Sequence, residues 1–230
     1  MLKPISFHSL VNEPIASNRF FAGAPDTETA VPTIAEESEP VPGRRKRLKP
    51  GERRVQILQT LAHILEQPGS ERVTTALLAG RLQVSEAALY RHFASKAQMF
   101  EALLELIESA INGLINDAAK EGGTGRERVV QLVTRMLTFA EANPGLGRVV
   151  AGDALVLEHE RLQSRMNAMF DRFENTLKLC LQADNSATDP AVGAELISTF
   201  TLGRIHLWSR TGFTRKPTAN LQACLDRLLG

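Results

Sequence analysis

From Val55 to the end of the chain, apolar residues recur mostly three and four positions apart, the period of helices with one buried side. The spacing predicts a first helix over 52–67, with Val55, Leu58, Leu61, Ala62 and Leu65 inward and Pro68-Gly69 as its stop. Two short helices follow. Thr74 caps one carrying Ala76, Leu78, Ala79 and Leu82. Ser85 caps the next, with Val84 and Leu89 as a hydrophobic staple and Phe93 inward. Ser95 and Gln98 are spaced as a capping box, so a long helix starts at Lys96 and runs to about Ala119, roughly 35 Å. Gly122 to Gly125 break it. Further helices are expected over 126–142, 146–151, 154–181, 191–209 and 218–229, and no strand is expected.

The pattern is therefore all-α. Its most informative stretch is 74–93, where two short helices meet in a tight turn. Leu89 and Phe93 face inward, while Glu86, Ala87, Tyr90, Arg91 and His92 are left outward. A helix-turn-helix needs one packed face and one free to enter the major groove of DNA. Ala87 and Ala88 are short enough for the backbone to approach base edges and thymine methyl groups. Lys96, at the start of a helix, favours a phosphate oxygen. The candidate DNA-binding set is Arg53, Arg54, Thr74, Thr75, Ser85, Ala87, Ala88, Tyr90, Arg91, His92 and Lys96.

Charge sharpens this reading. The chain as a whole is close to neutral, at +1, but its charges are unevenly placed. Residues 1–43 are net −4, residues 44–96 carry eleven Lys/Arg against four Asp/Glu, net +7, and the remainder is net −2. Positive charge thus gathers on the helix-turn-helix and the segment before it. Residues 1–49 hold six of the eleven prolines and a polar, acidic stretch. They read as a disordered extension ending in a basic arm, Arg44 to Lys49, suited to phosphates or a minor groove.

Bulk features exclude other classes. No apolar run approaches the length of a membrane span, and the first residues lack a secretory core, so a cytoplasmic protein is expected. Cys180 and Cys224 lie on apolar helical faces without metal or redox spacing and read as buried thiols. The five histidines show no ligand spacing, and no nucleophile elbow, phosphate loop or dinucleotide glycine pattern occurs. Neither an enzyme nor a metal or cofactor is expected.

The run Leu89-Tyr90-Arg91-His92-Phe93 followed by Ser95-Lys96 resembles the DNA-binding domain of the TetR family. That resemblance implies a TetR-like fold, with a helix-turn-helix domain over 50–111 and a larger helical body over 112–230, coiled-coil-like over 158–182. Glu141, Asn143-Pro144-Gly145-Leu146, Gly152, Ala154-Leu155, Glu158, Arg161-Leu162-Gln163, Arg165, Asn167, Phe170 and Arg172 resemble one branch of that family, the nucleoid occlusion factors. The resemblance implies a homodimer on palindromic double-stranded DNA, associated with the nucleoid, that opposes ring assembly by the tubulin-like division protein FtsZ. It places partner contacts at Leu106, Leu114, Arg135, Thr138, Ala142 and Asn143, where the family's aromatic and arginine at the first two positions are leucines here. The apolar helix over 191–209 and the last helix suggest a dimer interface at Leu196, Phe200, Ile205, Trp208, Leu221 and Leu225. The alternative is a ligand-responsive TetR-type repressor, with His159, Arg165, His206 and Trp208 as candidates to line a pocket.

Overall fold

The computed structural model describes residues 50–67, 73–152, 154, 160–184 and 189–230. The extension and basic arm, the Pro68-Gly69 stop and His159 lie outside them. Among the described residues the structure is helical throughout: α1 (Pro50–Leu65), α2 (Thr75–Leu82), α3 (Glu86–Tyr90), α4 (Lys96–Lys120), α5 (Gly125–Ala142), α6 (Pro144–Val150), α7 (Glu160–Gln182), α8 (Pro190–Arg210) and α9 (Leu221–Leu228).

Helices α1 to α3 and the first half of α4 make a small head. Leu58, Leu61, Leu78, Leu89, Phe93, Phe100 and Leu103 are buried in it. Each such side chain is worth about 1.5–3 kcal/mol when removed from water. Val55, expected inward, is only half-buried, whereas Ile57 and Ile64 are fully buried. The cause is a second neighbour. Helix α1 packs on α2 and α4 within the head and also on α6 of the body.

The body is built on α4, α5, α7 and α8. Helix α7 buries Leu162, Met166, Met169, Phe173 and Leu177 and packs most extensively against α8. Thr124 and Glu127 form a capping box at the start of α5, and Asp184 accepts from the backbone N–H groups of Gly125 (2.6 Å) and Arg126. Four carboxylate–guanidinium pairs tie α4 to α7. Arg161 meets Glu101, Arg165 reaches Glu108 (2.7 Å) and Glu105 (3.5 Å), and Arg172 reaches Glu108 (3.8 Å). The bond to Glu108 holds the Arg165 proton more firmly than usual.

Head and body meet chiefly at α6. Gly145 lies against the α1 backbone, where a Cβ would come within 2.0 Å of the Ala62 carbonyl oxygen. Gly147 lies beneath Trp208 of α8, with Cζ3 2.7 Å from where a Cβ would stand. Arg148, buried between them, donates to the Gln67 carbonyl (2.9 Å) and lies 4.9 Å from the centre of the Phe213 ring. Helix α6 is therefore fixed to the head on one side and to α8 on the other.

Candidate nucleic-acid and partner interfaces

The helix-turn-helix closes through local bonds. Thr74 accepts from the Leu77 N–H (3.1 Å) and Ser85 from the Ala88 N–H (3.2 Å). Between the two helices Gln83 takes a left-handed conformation (φ 55°), and the N–H of Val84 closes the turn on Ala79 (3.1 Å). That conformation is one in which glycine is the easier residue. Helix α3 is shorter than expected because Arg91 and His92 form a turn after Tyr90 rather than a further helical turn. Ser95 caps α4 by accepting from Gln98 (3.2 Å), but the Gln98 side chain accepts from Ala94, one residue before the expected position.

On the outer face of the head, Thr74, Ser85, Ala87, Tyr90 and Arg91 are exposed, and Thr75, Ala88, His92 and Lys96 are half-buried. Two large side chains of the head are exposed to a similar degree, Tyr90 at 45% and Leu77 of α2 at 42%. Thr75 donates its hydroxyl to the Glu86 carboxylate, a link between α2 and α3 that the spacing of the two residues did not reveal. Arg53 is engaged with Gln56 (2.7 Å). Arg54 has a different surrounding: its guanidinium lies 4.1 Å from the centre of the Phe93 ring and donates to the His92 carbonyl. It braces the segment that follows α3. His92 is brought among Arg53, Arg54 and Arg91; burial first, and then these three cations, push its pKa down.

On the body, Arg135, Thr138 and Ala142 follow one another at three and four residues on α5. Arg135 is buried and pairs with Glu121 at the end of α4. Asn143 is buried too, with its amide donating to the Phe139 carbonyl (2.8 Å), so it holds the α5–α6 corner. Leu114 is partly buried, and Leu106 is packed inside the core. Leu106 is thus corrected from a surface contact to a support for α4, because the middle of α4 is enclosed on several sides. A groove of about 600 Å³ adjoins this stripe of α5, lined by Thr138 and Ala142 together with Thr134, Glu141, Thr218, Leu221 and Gln222. Glu141 accepts from the Thr218 hydroxyl (2.6 Å) and pairs with Lys216 (3.4 Å) at its rim.

The expected dimer residues divide. Leu196 is 52% exposed and Phe200 half-buried beneath the Arg204 guanidinium. Ile205, Trp208, Leu221 and Leu225 are buried within the chain itself. Trp208 packs edge-on against Phe213 and donates to its carbonyl (3.2 Å). These four are therefore corrected to internal packing residues. The large apolar residues of α8 that are exposed are instead Val192, Leu196 and Leu207, on one stripe. Cys180 is buried, and burial pushes its thiol pKa up; Cys224, expected buried, is half-buried and accepts from Arg204 (3.6 Å).

Residues 57–103 match the model for bacterial regulatory proteins of the tetR family, and residues 125–229 match a tetracyclin repressor-like C-terminal domain of the SlmA-like type. The nucleoid occlusion factor SlmA of Alteromonas mediterranea is 44% identical over 177 residues, covering 74% of this chain and 91% of that protein. The chain belongs to the SlmA nucleoid occlusion factors of the TetR family. SlmA of Idiomarina loihiensis is likewise 44% identical, over 74% of this chain and 90% of its own length. Solved structures share the fold. The regulator PfmR of Thermus thermophilus superposes with a TM-score of 0.62 at 21% identity, covering 76% of this chain and 95% of that one. AibR, in complex with isovaleryl coenzyme A and operator DNA, superposes with a TM-score of 0.63 at 16% identity, covering 77% and 98%. The SlmA match spans both the helix-turn-helix and the body, and the role in nucleoid occlusion is the family's. Members of this family are DNA-binding regulators rather than enzymes. Among the described residues no helix is long and apolar enough to cross a membrane.

Proposed function

We propose that two copies of this chain bind palindromic DNA and, while bound, engage FtsZ and oppose its ring assembly over the nucleoid. The observation that carries the reading is the continuous packing from the turn after α3 through α1 and α6 to α5. Arg54 of α1 braces the turn that follows α3, Gly145 seats α6 on α1, and Asn143 joins α6 to the candidate partner face. Occupancy of the head by DNA then bears on the shape of the α5 surface.

In this reading residues 50–111 are the DNA-binding domain and 112–230 the body that dimerises and docks the partner. Tyr90, His92 and Lys96 meet phosphates, Ala87 and Arg91 face the base edges, and the basic arm Arg44 to Lys49 follows the backbone. Two copies meet through Val192, Leu196, Phe200 and Leu207, an apolar stripe whose exposure a second copy would relieve. FtsZ docks along α5 at Arg135, Thr138 and Ala142, with Leu114 beside them and Asn143 shaping the corner. Dimers held on DNA would be associated with the nucleoid.

The test is binding of a labelled FtsZ tail peptide with and without palindromic DNA, for the unmodified chain and for a charge reversal at Arg135. Tighter binding with DNA, weakened by the reversal, is expected. No peptide binding in either state, with DNA binding intact, refutes the division role. A ligand-responsive repressor gains no support from Arg165 or Trp208: the first is engaged by Glu108 and the second is packed against Phe213.

A further inference from the structure

We propose that Glu121 is an internal competitor on the docking face: its carboxylate holds the Arg135 guanidinium until a carboxylate of the docking peptide replaces it. The inference rests on the assignment of the α5 face to the partner, and it names the chemistry recognised there, an acidic group on the peptide.

The two members of the pair differ in their freedom. Arg135 is 9% exposed, enclosed in the α5 face, whereas the Glu121 side chain is 41% exposed. Glu121 stands just beyond the last turn of α4, its N–H on the Asp117 carbonyl (3.2 Å), and Gly122 and Gly123 follow at positive φ. The cation is fixed and the anion is at the edge. A guanidinium enclosed to this degree is costly without a partner, so some carboxylate is favoured beside it at all times. Exchanging Glu121 for an incoming carboxylate conserves the number of ion pairs and avoids an empty cation.

The same stripe of α5 continues to Gln131 and Arg128, at four and seven residues before Arg135. The Gln131 Oε1 and Arg128 Nε atoms are buried without a hydrogen-bond partner. Polar atoms in that condition are uncommon and favour any arrangement that supplies the missing donor or acceptor. A peptide displacing Glu121 brings both kinds of group to this side of α5.

The experiment compares the unmodified chain, Glu121→Gln and Glu121→Asp, each bound to palindromic DNA, by titration with a labelled FtsZ tail peptide at low and high salt. In the unmodified chain one ion pair replaces another, so peptide affinity changes little with salt. In Glu121→Gln a new pair forms on binding. Affinity should rise on the order of fivefold at low salt, the scale of one partly exposed pair, and the gain should shrink as salt is added. Glu121→Asp should resemble the unmodified chain. In an Arg135→Gln background the Glu121→Gln gain should vanish, which a merely structural effect of residue 121 would not do. Equal affinity and equal salt dependence for the unmodified chain and Glu121→Gln, with peptide binding present, overturn the competitor role and leave the docking assignment standing. Absence of peptide binding by every variant, with DNA binding intact, overturns the docking assignment and the competitor with it.

Discussion

Gly145 meets Ala62 backbone to backbone: a Cβ at residue 145 would come within 2.0 Å of the Ala62 carbonyl oxygen. A helix carbonyl cannot retreat as the end of a side chain can, so the smallest added group must push α6 away from α1. Gly145→Ala is expected to destabilise the fold by about 3 kcal/mol, at the upper end of overpacking costs. It should also weaken the effect of DNA on peptide binding more than it weakens either binding alone. Denaturant unfolding and peptide titration with and without DNA measure the two parts. Unchanged stability would mean that α6 does not sit on α1 as described.

His92 makes the head sensitive to acid in two opposite ways. Its folded-state pKa is pushed down from the ordinary 6.5 by burial and by Arg53, Arg54 and Arg91. The unfolded chain therefore holds more proton than the folded one between 6.5 and the lowered value. Stability from this group is present above pH 6.5 and is lost as pH falls through that window. DNA phosphates near His92 favour the imidazolium instead, so operator affinity should rise as pH falls through the same window. His92→Gln should remove both dependences. Chemical denaturation and operator titration from pH 7.5 to 5.5 are the measurements, and an operator affinity that ignores pH would remove His92 from the DNA face.

The exposed side chains of the head separate into positioning and reading. Lys96→Ala should weaken binding to every DNA sequence and lower the salt slope by about 1, as expected for one phosphate contact. Tyr90→Ala should also weaken binding to all sequences. Arg91→Ala, on the groove side, should cost roughly 1–3 kcal/mol at one base position and leave non-specific binding nearly intact. Titrations on operator and scrambled duplexes at several salt concentrations distinguish the two patterns. If Tyr90→Ala and Lys96→Ala both bind the operator normally, the docking orientation is wrong.

Where periodicity was the dominant signal, the chain was readable. Helix α4 was expected over 96–119 and runs to Lys120, and α5 differs by one residue at its start. The Thr74 and Ser85 caps lie where their spacing put them. What failed was any feature set by a distant neighbour. Periodicity marks apolar sides of a helix without saying what covers them, so Ile205 and Trp208 read as interface although α6, α7 and the Phe213 turn cover them within the chain. Ile57 and Ile64 lie off the expected stripe for the same reason, since α1 has a second buried side. The buried Arg148 and the pairing of Arg135 with Glu121 had no local signal at all. The Thr124-x-x-Glu127 capping box did have one, masked by the glycines around it.

Two leucine-sized changes on α8 should part dimerisation from folding. Leu196 is 52% exposed, while Ile205 is wholly enclosed. Leu196→Glu places a charge where the second copy is proposed to sit; in a single chain that charge stays in water and costs the fold little. In a dimer it would be desolvated against Val192 and Leu207 of the other copy, beside the like charge which that copy also carries at 196, and this is costly for unpaired carboxylates. The variant is therefore expected to sediment as a monomer at micromolar concentration with a native helical spectrum, and to lose affinity for the full palindrome while retaining weak half-site binding. Ile205→Ala acts by another route. It leaves a cavity inside the chain and should cost about 2–5 kcal/mol of stability. Below the concentration at which dimers form, that loss should remain, because the packing it removes lies within one chain. Sedimentation and denaturant unfolding over a range of protein concentrations measure both. A dimeric Leu196→Glu variant with unchanged affinity would move the interface off this face of α8.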